Sequence, residues 1–248
     1  MKKDLYKKII LVTGAGKGIG KEIMLESLTR GAFVYAVTKS KSSLKNFKHD
    51  RCKIFYGDVR NTKLIEKIFK TSKKNKQIIN CLVNNAGRRQ REKFENITNK
   101  KLNFIIDSNV KSIFKIMQIF FKYTKNLNDY KSIVNIGSIV GVKGFENLVG
   151  YGMTKTALIG LTNCFFIEKS KLKYRCNLIN PGFVKTSYYE NFKKTKSKLY
   201  NWTLKKTPMR KWGETKDVAE LTCFLLSDKS NYINGQTINI DGGWTTGW

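Results

Sequence analysis

The sequence predicts a single α/β domain with a doubly wound parallel sheet of about seven strands and helices on both faces. Short apolar runs alternate with amphipathic stretches along the chain, as expected where each strand is followed by a crossover helix. The first apolar run, residues 9–12, ends in a glycine-rich turn at residues 13–20, and helical periodicity then resumes. The length of 248 residues suits one such unit, so we assign residues 1–248 to one domain.

The predicted strands are short apolar runs, most of which stop at glycine, asparagine or aspartate, the residues that favour turns. They are residues 8–13, 32–37, 53–56, 79–83, 133–136, 176–179 and 237–240. The sixth strand is expected to end before Pro181-Gly182, because proline has no N–H to give to the ladder. Turns between these strands and the intervening helices account for nearly all the remaining chain.

Apolar residues at spacings of three and four predict helices between the strands. These helices cover residues 19–28, 64–69, 98–123, 151–169 and 215–226. In the helix of residues 98–123, one stripe is formed by Val110, Phe114, Met117 and Phe121, and the helix of residues 151–169 carries Leu158, Leu161 and Phe165. The stripes could form an oligomer interface or simply cover the sheet.

Residues 187–210 break this alternation, because they are lysine-rich and interleaved with aromatic side chains. The aromatic side chains are Tyr188, Tyr189, Phe192, Tyr200 and Trp202, and Met209 follows them. Two interpretations stay open. The segment is either a substrate loop that covers a site as a lid, or a solvated helix pair with a few aromatic anchors.

The chain is strongly basic, with 48 Lys and Arg against 18 Asp and Glu, a formal net charge of +30. Such a charge suits an acidic partner such as nucleic acid, an anionic membrane surface or an acidic carrier protein. However, the basic residues are spread over the whole length and no nucleic-acid-binding motif accompanies them. We therefore attribute the charge to compositional bias and expect no nucleic-acid role.

The composition also bears on location and metals. The apolar runs are far shorter than the roughly 20 residues needed to span a bilayer, and the run after Met1-Lys2-Lys3 reads as strand one of a cytoplasmic protein. Five cysteines are scattered without CxxC spacing, and the chain has one histidine. We expect neither a metal site nor a disulfide framework.

The most informative residues are a tyrosine and a lysine at i and i+4, Tyr151 and Lys155, with Ser138 upstream. On a helix these two side chains share one face, so the ammonium can lie beside the phenol. A phenol titrates near pKa ~10, and a neighbouring cation stabilises the phenolate. The pattern therefore predicts a proton-exchanging tyrosine, as in a hydride-transfer enzyme.

The glycine-rich turn supports a nucleotide site. Gly14, Gly18 and Gly20 stand between a strand and a helix, where missing side chains let backbone N–H groups and the helix N-terminus approach a pyrophosphate. Glycines are also used in turns for purely steric reasons. The turn therefore indicates a nucleotide site only when it is considered together with the other motifs.

Taken in order, these residues resemble the short-chain dehydrogenase/reductase family, over residues 9–244. The matching motifs are the TGxxxGxG turn of residues 13–20, NNAG at 84–87, Asn109, Ser138, the YxxxK of Tyr151 and Lys155, PGxVxT at 181–186 and IDGG at 240–243. The resemblance implies a Rossmann fold and a reductase or dehydrogenase activity. It is most evident toward 3-oxoacyl-[acyl-carrier-protein] reductases around residues 135–141, and toward sugar and polyol reductases around residues 31–44.

The resemblance also implies roles for four catalytic residues. Tyr151 would exchange a proton with the substrate oxygen, and Ser138 would hydrogen-bond that oxygen. Lys155 would hold the nicotinamide ribose, and Asn109 would position a water that leads from Lys155 to solvent. The structural alternatives are a strand-end cap for Ser138, a helix kink for Asn109 and an ordinary packed aromatic for Tyr151.

By the same resemblance, a nicotinamide cofactor would contact residues from six stretches of the chain. They are Gly14, Lys17, Gly18, Ile19, Gly20, Thr38, Lys39, Asp58, Val59, Asn85, Ala86, Gly87, Tyr151, Lys155, Pro181, Gly182, Val184 and Thr186. An acid after the second strand selects NAD through the ribose 2′-OH, and here the stretch reads Val37-Thr38-Lys39-Ser40-Lys41 without one. We expect NADP(H) in preference to NAD(H).

The substrate is left open, as a small or carrier-bound carbonyl compound. Arg88, Arg89 and Arg91 could meet a carboxylate, a phosphate or an acidic carrier protein, or be plain surface. The family resemblance implies a dimer or homotetramer. An interpretation of another class, a non-catalytic protein that binds an acidic partner through its basic surface, is disfavoured by the joint presence of Ser138 and the Tyr151–Lys155 pair.

Overall fold

Seven parallel strands form the central sheet in the order β3-β2-β1-β4-β5-β6-β9 in the computed structural model, which describes residues 3–187 and 189–247. The strands are β1 (Ile9–Thr13), β2 (Phe33–Thr38), β3 (Cys52–Tyr56), β4 (Cys81–Asn84), β5 (Lys131–Ile136), β6 (Tyr174–Pro181) and β9 (Thr237–Ile240). A separate parallel pair is formed by β7 (Val184–Lys185) and β8 (Gly213–Glu214). The predicted doubly wound α/β domain is confirmed.

Helices cover both faces of this sheet. They are α1 (Gly18–Thr29), α2 (Thr62–Lys74), α3 (Asn99–Ile106), α4 (Ser112–Thr124), α5 (Val149–Lys169), α6 (Tyr189–Thr195), α7 (Ser197–Lys206) and α8 (Thr215–Leu226). One apolar core lies under α1 and α8, and a second lies under α2, α4 and α5. Successive residues of β1 alternate between them, with Ile10 in the first core and Leu11 in the second. Burial on both faces explains why the strands are continuous apolar runs.

The strand order reverses at β1, which pairs with β2 on one side and β4 on the other. The connections that leave the carboxyl ends of β1 and β4 therefore diverge, and a crevice opens between them. The glycine-rich turn follows β1 and residues 84–87 lie at the end of β4, so both motifs border this crevice.

The predicted sixth strand was too short. β6 extends over Tyr174–Pro181, and Pro181 is in register with Ile240 of β9. The proline is tolerated because it is the last residue of the strand, where the next donor to β9 is the N–H of Gly182, 3.0 Å from the Ile240 oxygen. The fourth strand, conversely, starts later than predicted, at Cys81.

The predicted helix of residues 98–123 is interrupted. A π-helical turn, Asp107–Lys111, separates α3 from α4. Because a π turn adds one residue per turn, it rotates the following helix relative to an unbroken one. Phe114, Met117 and Phe121 all follow this turn within α4, so their positions relative to one another are unchanged. Met117 is buried whereas Phe114 is 44% exposed, so the predicted stripe lies only partly in the core. The buried residues of α4 that reach the core are Ile113, Ile116, Met117, Ile119 and Phe120.

Candidate active site and cofactor cavity

A cavity of about 770 Å³ lies at the carboxyl ends of β1, β2 and β4, where the strand order reverses. It brings together the predicted residues Gly14, Lys17, Gly18, Ile19, Gly20, Thr38, Lys39, Asp58, Val59, Asn85, Ala86, Gly87 and Thr186. Its other lining residues are Gly16, Val37, Ser40, Ser43, Gly57, Arg60, Arg88, Ser108 and Ser187. Five separate stretches that precede α4 thus meet in one place, together with the segment after β7.

The glycine-rich turn is shaped by contacts that leave no room for side chains. Gly14 has a φ of +68°, and a Cβ there would lie 2.8 Å from Nδ2 of Asn85. A Cβ on Gly20 would collide with the same amide and with the Gly14 oxygen. The two positions therefore require glycine, the first for its backbone conformation and the second for close approach.

Asn85 shapes the cavity through hydrogen bonds to β1. Its Nδ2 donates to the Thr13 and Gly14 oxygens at 3.0 and 3.2 Å, while Oγ1 of Thr13 accepts from the Asn85 and Ala86 N–H groups. The amide N–H groups are thus engaged with the protein itself. The role that the contacts assign to Asn85 is to hold the glycine turn against the end of β4.

Two observations show that this cavity suits an anionic dinucleotide. The N-cap of α1, Lys17, makes no side-chain cap, and the first turn has no acidic residue, so the N-terminus of α1 would accept an anion. On the opposite wall, the Ser108 Oγ is buried without a hydrogen-bond partner among the described residues. Both features are donor positions that a phosphate or ribose oxygen would satisfy.

Asp58 is held by two cations at the end of β3. The Arg60 guanidinium pairs with both carboxylate oxygens at 3.1 and 2.9 Å, and Lys39 Nζ lies 3.2 Å from one of them. The bond to Arg60 holds the pKa of the Asp58 carboxyl well below its ordinary value. Lys39, after β2, therefore faces the same carboxylate as Arg60, and the three charges form one cluster at the cavity edge.

Tyr151 and Lys155 lie one turn apart near the start of α5, as the spacing predicts, with Nζ 5.8 Å from the phenol ring centroid. Lys155 is buried, and its Nζ donates to the Ile136 oxygen at 2.7 Å. Ser138 follows β5, where its N–H donates to Asn180 and its Oγ accepts from the Val140 N–H. Ser138 thus caps the 3-10 turn Ile139–Gly141, two residues after the end of β5, and it also hydrogen-bonds the Tyr151 phenol.

The predicted pKa effect of Lys155 on Tyr151 is not what this structure shows. Burial raises the pKa of Tyr151 above 10.0, whereas the hydrogen bond with Ser138 and the charge of Arg89 lower it by less. Burial also lowers the pKa of Lys155 to about 8. The phenol is therefore held in its neutral form, and the lysine titrates near physiological pH.

Asn109 lies in the π-helical turn and is fully buried. Its Oδ1 accepts from the Arg88 N–H at 2.8 Å, and its Nδ2 donates to the Arg88 oxygen at 2.8 Å and to Thr154 Oγ1 at 3.0 Å. The Thr154 hydroxyl in turn donates to the backbone oxygen of Tyr151. Asn109 therefore joins the segment after β4 to the helix that carries Tyr151 and Lys155.

Five of the predicted cofactor contacts do not line the cavity, namely Tyr151 and Lys155 on α5 and the residues Pro181, Gly182 and Val184. The last three belong to β6, to the turn after it and to β7, which lead the chain to Thr186. The methyl group of Thr186 lies 3.5 Å from where a Cβ of Gly18 would stand. The PGxVxT stretch thus reaches the cavity at its last position.

Sequence reasoning missed two lining residues with side-chain chemistry, Arg60 and Ser108. Arg60 stands two residues after Asp58, a spacing at which a guanidinium can reach back to a carboxylate, so its position was a usable signal. Ser108 is brought into the cavity by the π-helical turn, for which the sequence carried no sign that we recognised.

The basic aromatic segment, residues 187–210, contains the helices α6 and α7. Tyr189, Phe192 and Tyr200 pack around Trp212 with ring centroids 5.2 to 5.5 Å away, so the predicted aromatic anchors are present. Trp202 packs on Trp244 at 5.3 Å. Of the remaining predicted residues, Met209 is exposed and Tyr188 lies outside the described residues.

A second groove lies away from the crevice. A groove of about 880 Å³ between α2 and α4 is lined by six lysines and one glutamate, and none of the predicted site residues lines it. Over residues 3–187 and 189–247, no cluster of His, Cys, Asp or Glu could hold a metal ion. In the same residues, no helix has both the length and the apolar character needed to cross a bilayer.

Comparison with known sequences identifies relatives over nearly the full chain. A family model described as Enoyl-(Acyl carrier protein) reductase matches residues 14–245. The 3-oxoacyl-[acyl-carrier-protein] reductase FabG of Buchnera aphidicola subsp. Schizaphis graminum is 31% identical over 242 residues, covering 96% of this chain and 98% of that protein. The 2-dehydro-3-deoxy-D-gluconate 5-dehydrogenase of Bacillus subtilis is 30% identical, with coverages of 97% and 96%.

Solved structures agree in fold and differ in bound cofactor. The 4-hydroxyisoleucine dehydrogenase complexed with NADH superposes with a TM-score of 0.91 at 29% identity, over 97% of this chain and 100% of that chain. A tyrosine-to-phenylalanine variant of ElxO with NADPH bound gives 0.89 at 28% identity, over 96% and 99%. With its glycine turn, its Ser138, Tyr151 and Lys155 constellation and these relatives, the chain belongs to the short-chain dehydrogenase/reductase family, which interconverts CH–OH and C=O groups with a nicotinamide cofactor.

Proposed function

We propose that this protein interconverts a carbonyl compound and a secondary alcohol with NADP(H), and that Tyr151 is the general acid and base. One observation carries the proposal. The buried Lys155 Nζ lies 5.8 Å from the Tyr151 ring centroid and would be 3.7 Å from a Cβ on Gly87, a residue that lines the cofactor cavity. The proton-exchanging phenol is thus adjacent to the wall of the nucleotide site.

The ionisation state of Tyr151 suits reduction. Its raised pKa keeps the phenol protonated at neutral pH, so it can donate a proton to a carbonyl oxygen and remove it in reverse. Ser138, which contacts the phenol, is placed to donate to the same oxygen as negative charge develops. The nicotinamide, when bound, supplies or accepts the hydride.

Lys155 and Asn109 support this chemistry, the first by binding the cofactor and the second by positioning neighbouring residues. One hydrogen of the Lys155 ammonium is directed at the Ile136 oxygen, which leaves two N–H donors for ribose hydroxyls. Asn109 positions Arg88 and Thr154 through its amide. The role of Asn109 in positioning a water stays a prediction.

The preference for NADP(H) rests on charge at the cavity edge. Thr38 ends β2 and Lys39 follows it, with no acid at either position, and Lys17 precedes α1 on the same cavity. A dianionic 2′-phosphate would compete with Asp58 for the Lys39 ammonium. We infer NADP(H), while the cofactors of the structural relatives include both NADH and NADPH.

Two substrate classes are consistent with the relatives. The FabG proteins act, by name, on carrier-bound 3-oxoacyl groups, whereas the gluconate and hydroxyisoleucine enzymes act on small compounds that carry a carboxylate. We propose that residues 187–210 cover the substrate, because Ser187 lines the cavity and α6 begins two residues later. A cytoplasmic location stays a prediction from the sequence.

The direct test is a screen for NADPH consumption with oxo acids, keto sugars and 3-oxoacyl thioesters. We expect turnover with at least one class, and a loss of about 10²- to 10⁴-fold in Tyr151→Phe, the range for general acid–base catalysis. Tyr232→Phe is the matched control, because Tyr232 is fully exposed and distant in sequence. If no carbonyl is reduced while polyanions bind with steep salt dependence, the alternative of a basic binding protein replaces this proposal.

We also propose a homodimer or homotetramer joined through α4 and α5. These helices expose apolar side chains that a monomer would leave in water, with Phe114 44% and Ile167 69% exposed. Phe114→Asp would place a charge on this face and is expected to shift the mass in solution toward the monomer. A monomeric mass for the unaltered protein at micromolar concentration would overturn this assignment.

A further inference from the structure

The segment that leaves the cofactor cavity, residues 87–92, runs beside the first turn of α5. At one end, a Cβ on Gly87 would lie 3.7 Å from Lys155 Nζ. Three residues later, Oε1 of Gln90 is 3.3 Å from where a Cβ of Gly150 would stand. Arg89 lies between these two contacts, and Tyr151 lies between the two helix positions that they touch.

The backbone of this segment is fixed on both sides of Arg89. Asn109 binds the N–H and the oxygen of Arg88, each at 2.8 Å. The Glu92 N–H donates to the oxygen of Asn147 at 2.9 Å, in the loop that follows Ser138. The segment is therefore hydrogen-bonded, through Asn109, to the helix that carries Lys155, and it is bonded to the loop that follows Ser138. These bonds hold the backbone of Arg89 close to the start of α5.

The charged side chains of this segment and its neighbours have different contacts. Arg88 lies over the Phe104 ring at 5.0 Å, and Arg60 lies over the same ring at 4.8 Å. Both of these guanidiniums line the cofactor cavity. The charge of Arg89, in contrast, acts on the Tyr151 phenol. Nearby, the Glu92 carboxylate is engaged with Lys101 at 2.6 Å.

Resting on the proposed function, we propose that Arg89 binds a carboxylate of the substrate, so that the enzyme acts on oxo acids and hydroxy acids in preference to neutral ketones and thioesters. A guanidinium presents parallel N–H donors that match a carboxylate in a bidentate pair. The guanidiniums of Arg60 and Arg88, in contrast, belong to residues that line the cofactor cavity. The carbonyl would then lie between Arg89 and the phenol of Tyr151.

The test compares 2-, 3- and 4-oxo acids with their methyl esters, which lack the negative charge that Arg89 would bind. We expect kcat/KM in the unaltered enzyme to favour at least one acid over its ester. In Arg89→Gln the acid-to-ester ratio should fall about 10- to 100-fold, the range for a hydrogen-bonded charge. Arg89→Lys should retain part of the ratio, because it keeps the charge without the fork.

Lys93→Gln is the control, since it removes one positive charge from an exposed site four residues further on. It should leave the acid-to-ester ratio unchanged. Equal kcat/KM for acids and esters, or an equal loss for both in Arg89→Gln, overturns carboxylate recognition even when Tyr151→Phe is inactive. Absence of NADPH consumption with every carbonyl instead refutes the proposed function, so the two failures are distinct. A Kd for NADPH that is unchanged in Arg89→Gln verifies that the variant is folded.

Discussion

The cofactor cavity and the aromatic segment that we propose as the substrate side are built from different kinds of contact. The cavity is formed largely by backbone and short side chains, with Gly14 at a φ of +68° and Asn85 bonded to the end of β1. The proposed substrate side, in contrast, is an assembly of large aromatic rings around Trp212, drawn from α6, α7 and the loop after β6. One region is defined by chain conformation and the other by side-chain packing.

This difference explains why the two regions leave different traces in the sequence. A backbone shape that only glycine can adopt restricts residue type at fixed spacing, so it is visible over a few consecutive positions. An aromatic cluster can be filled by many combinations of rings, and its members come from distant segments. If the regions are independent in this way, a change in one should leave binding in the other intact.

Trp212→Ala should produce the largest effect and separate the two regions. Trp212 is 6% exposed and contacts four aromatic rings, so its removal should lower the free energy of unfolding by about 3–5 kcal/mol. Turnover should fall because α6 and α7 lose their anchor, whereas the Kd for NADPH should change little. Urea unfolding, steady-state kinetics and fluorescence titration with NADPH measure the three quantities.

Trp202→Ala serves as the comparison for this variant. Trp202 is 43% exposed and packs on Trp244. We expect a decrease of about 1 kcal/mol in the free energy of unfolding. A Kd for NADPH that rises in Trp212→Ala as steeply as turnover falls would show that the two regions form one unit.

Lys155, at the boundary between the regions, gives stability a pH dependence. Its pKa is lowered by burial from 10.5 to about 8, so between these values the unfolded chain binds more protons than the folded one. The free energy of unfolding therefore rises with pH across this window, by on the order of 3 kcal/mol, and the penalty is fully present below pH 8. Lys155→Met removes this titration.

The measurement is urea unfolding of the ligand-free protein at several pH values from 7 to 10.5, with the Lys155→Met curve subtracted. The difference isolates one residue from the other groups that titrate in this range. If the free energy of unfolding depends on pH in the same way in both proteins, the Lys155 ammonium is as well solvated in the folded protein as in the unfolded chain. That outcome would contradict the burial of Lys155.

Lys39→Glu tests the charge at the far edge of the cofactor cavity. We expect the Kd for NADPH to rise about 10- to 100-fold, because a carboxylate would repel the 2′-phosphate, with little change for NADH. Lys41→Glu makes the same charge change two residues later, at a residue that does not line the cavity. Equal losses for both cofactors in Lys39→Glu would contradict the preference for NADP(H).

The sequence was sufficient for the sheet, the crevice and the motif residues, because each is set by local pattern. Burial of β1 on both faces makes it an apolar run, and the turn after it requires glycine at Gly14 and Gly20. The helix Thr215–Leu226 and the strand Thr237–Ile240 were predicted with the observed bounds for the same reason.

What could not be predicted depends on phase or on distant partners. The π-helical turn at Asp107–Lys111 divides the predicted helix into α3 and α4, and the spacing within α4 does not show that Ile113 faces the core whereas Phe114 is exposed. The sign of the Tyr151 pKa shift depends on burial, which no spacing reveals. Trp212 lies beyond the segment that it anchors, and only tertiary contact shows its role.

Ser108→Ala should have the smallest effect and tests a contact that only the structure reveals. The Ser108 Oγ is buried at the cavity wall without a partner among residues 3–187 and 189–247. Removing it from the ligand-free protein should not lower the free energy of unfolding, because a buried hydroxyl without a hydrogen bond is unfavourable. The Kd for NADPH should rise about 2- to 10-fold, as for one hydrogen bond.

Ser112→Ala is the matched control one helical turn later. Its Oγ donates to the Ser108 oxygen at 2.8 Å and does not line the cavity, so its loss should lower the free energy of unfolding by about 1 kcal/mol and leave the Kd unchanged. The two serines should thus show opposite behaviour, one acting on binding and the other on stability. If Ser108→Ala binds NADPH normally, the cofactor cavity is defined by its backbone alone, and the contrast with the aromatic substrate side becomes complete.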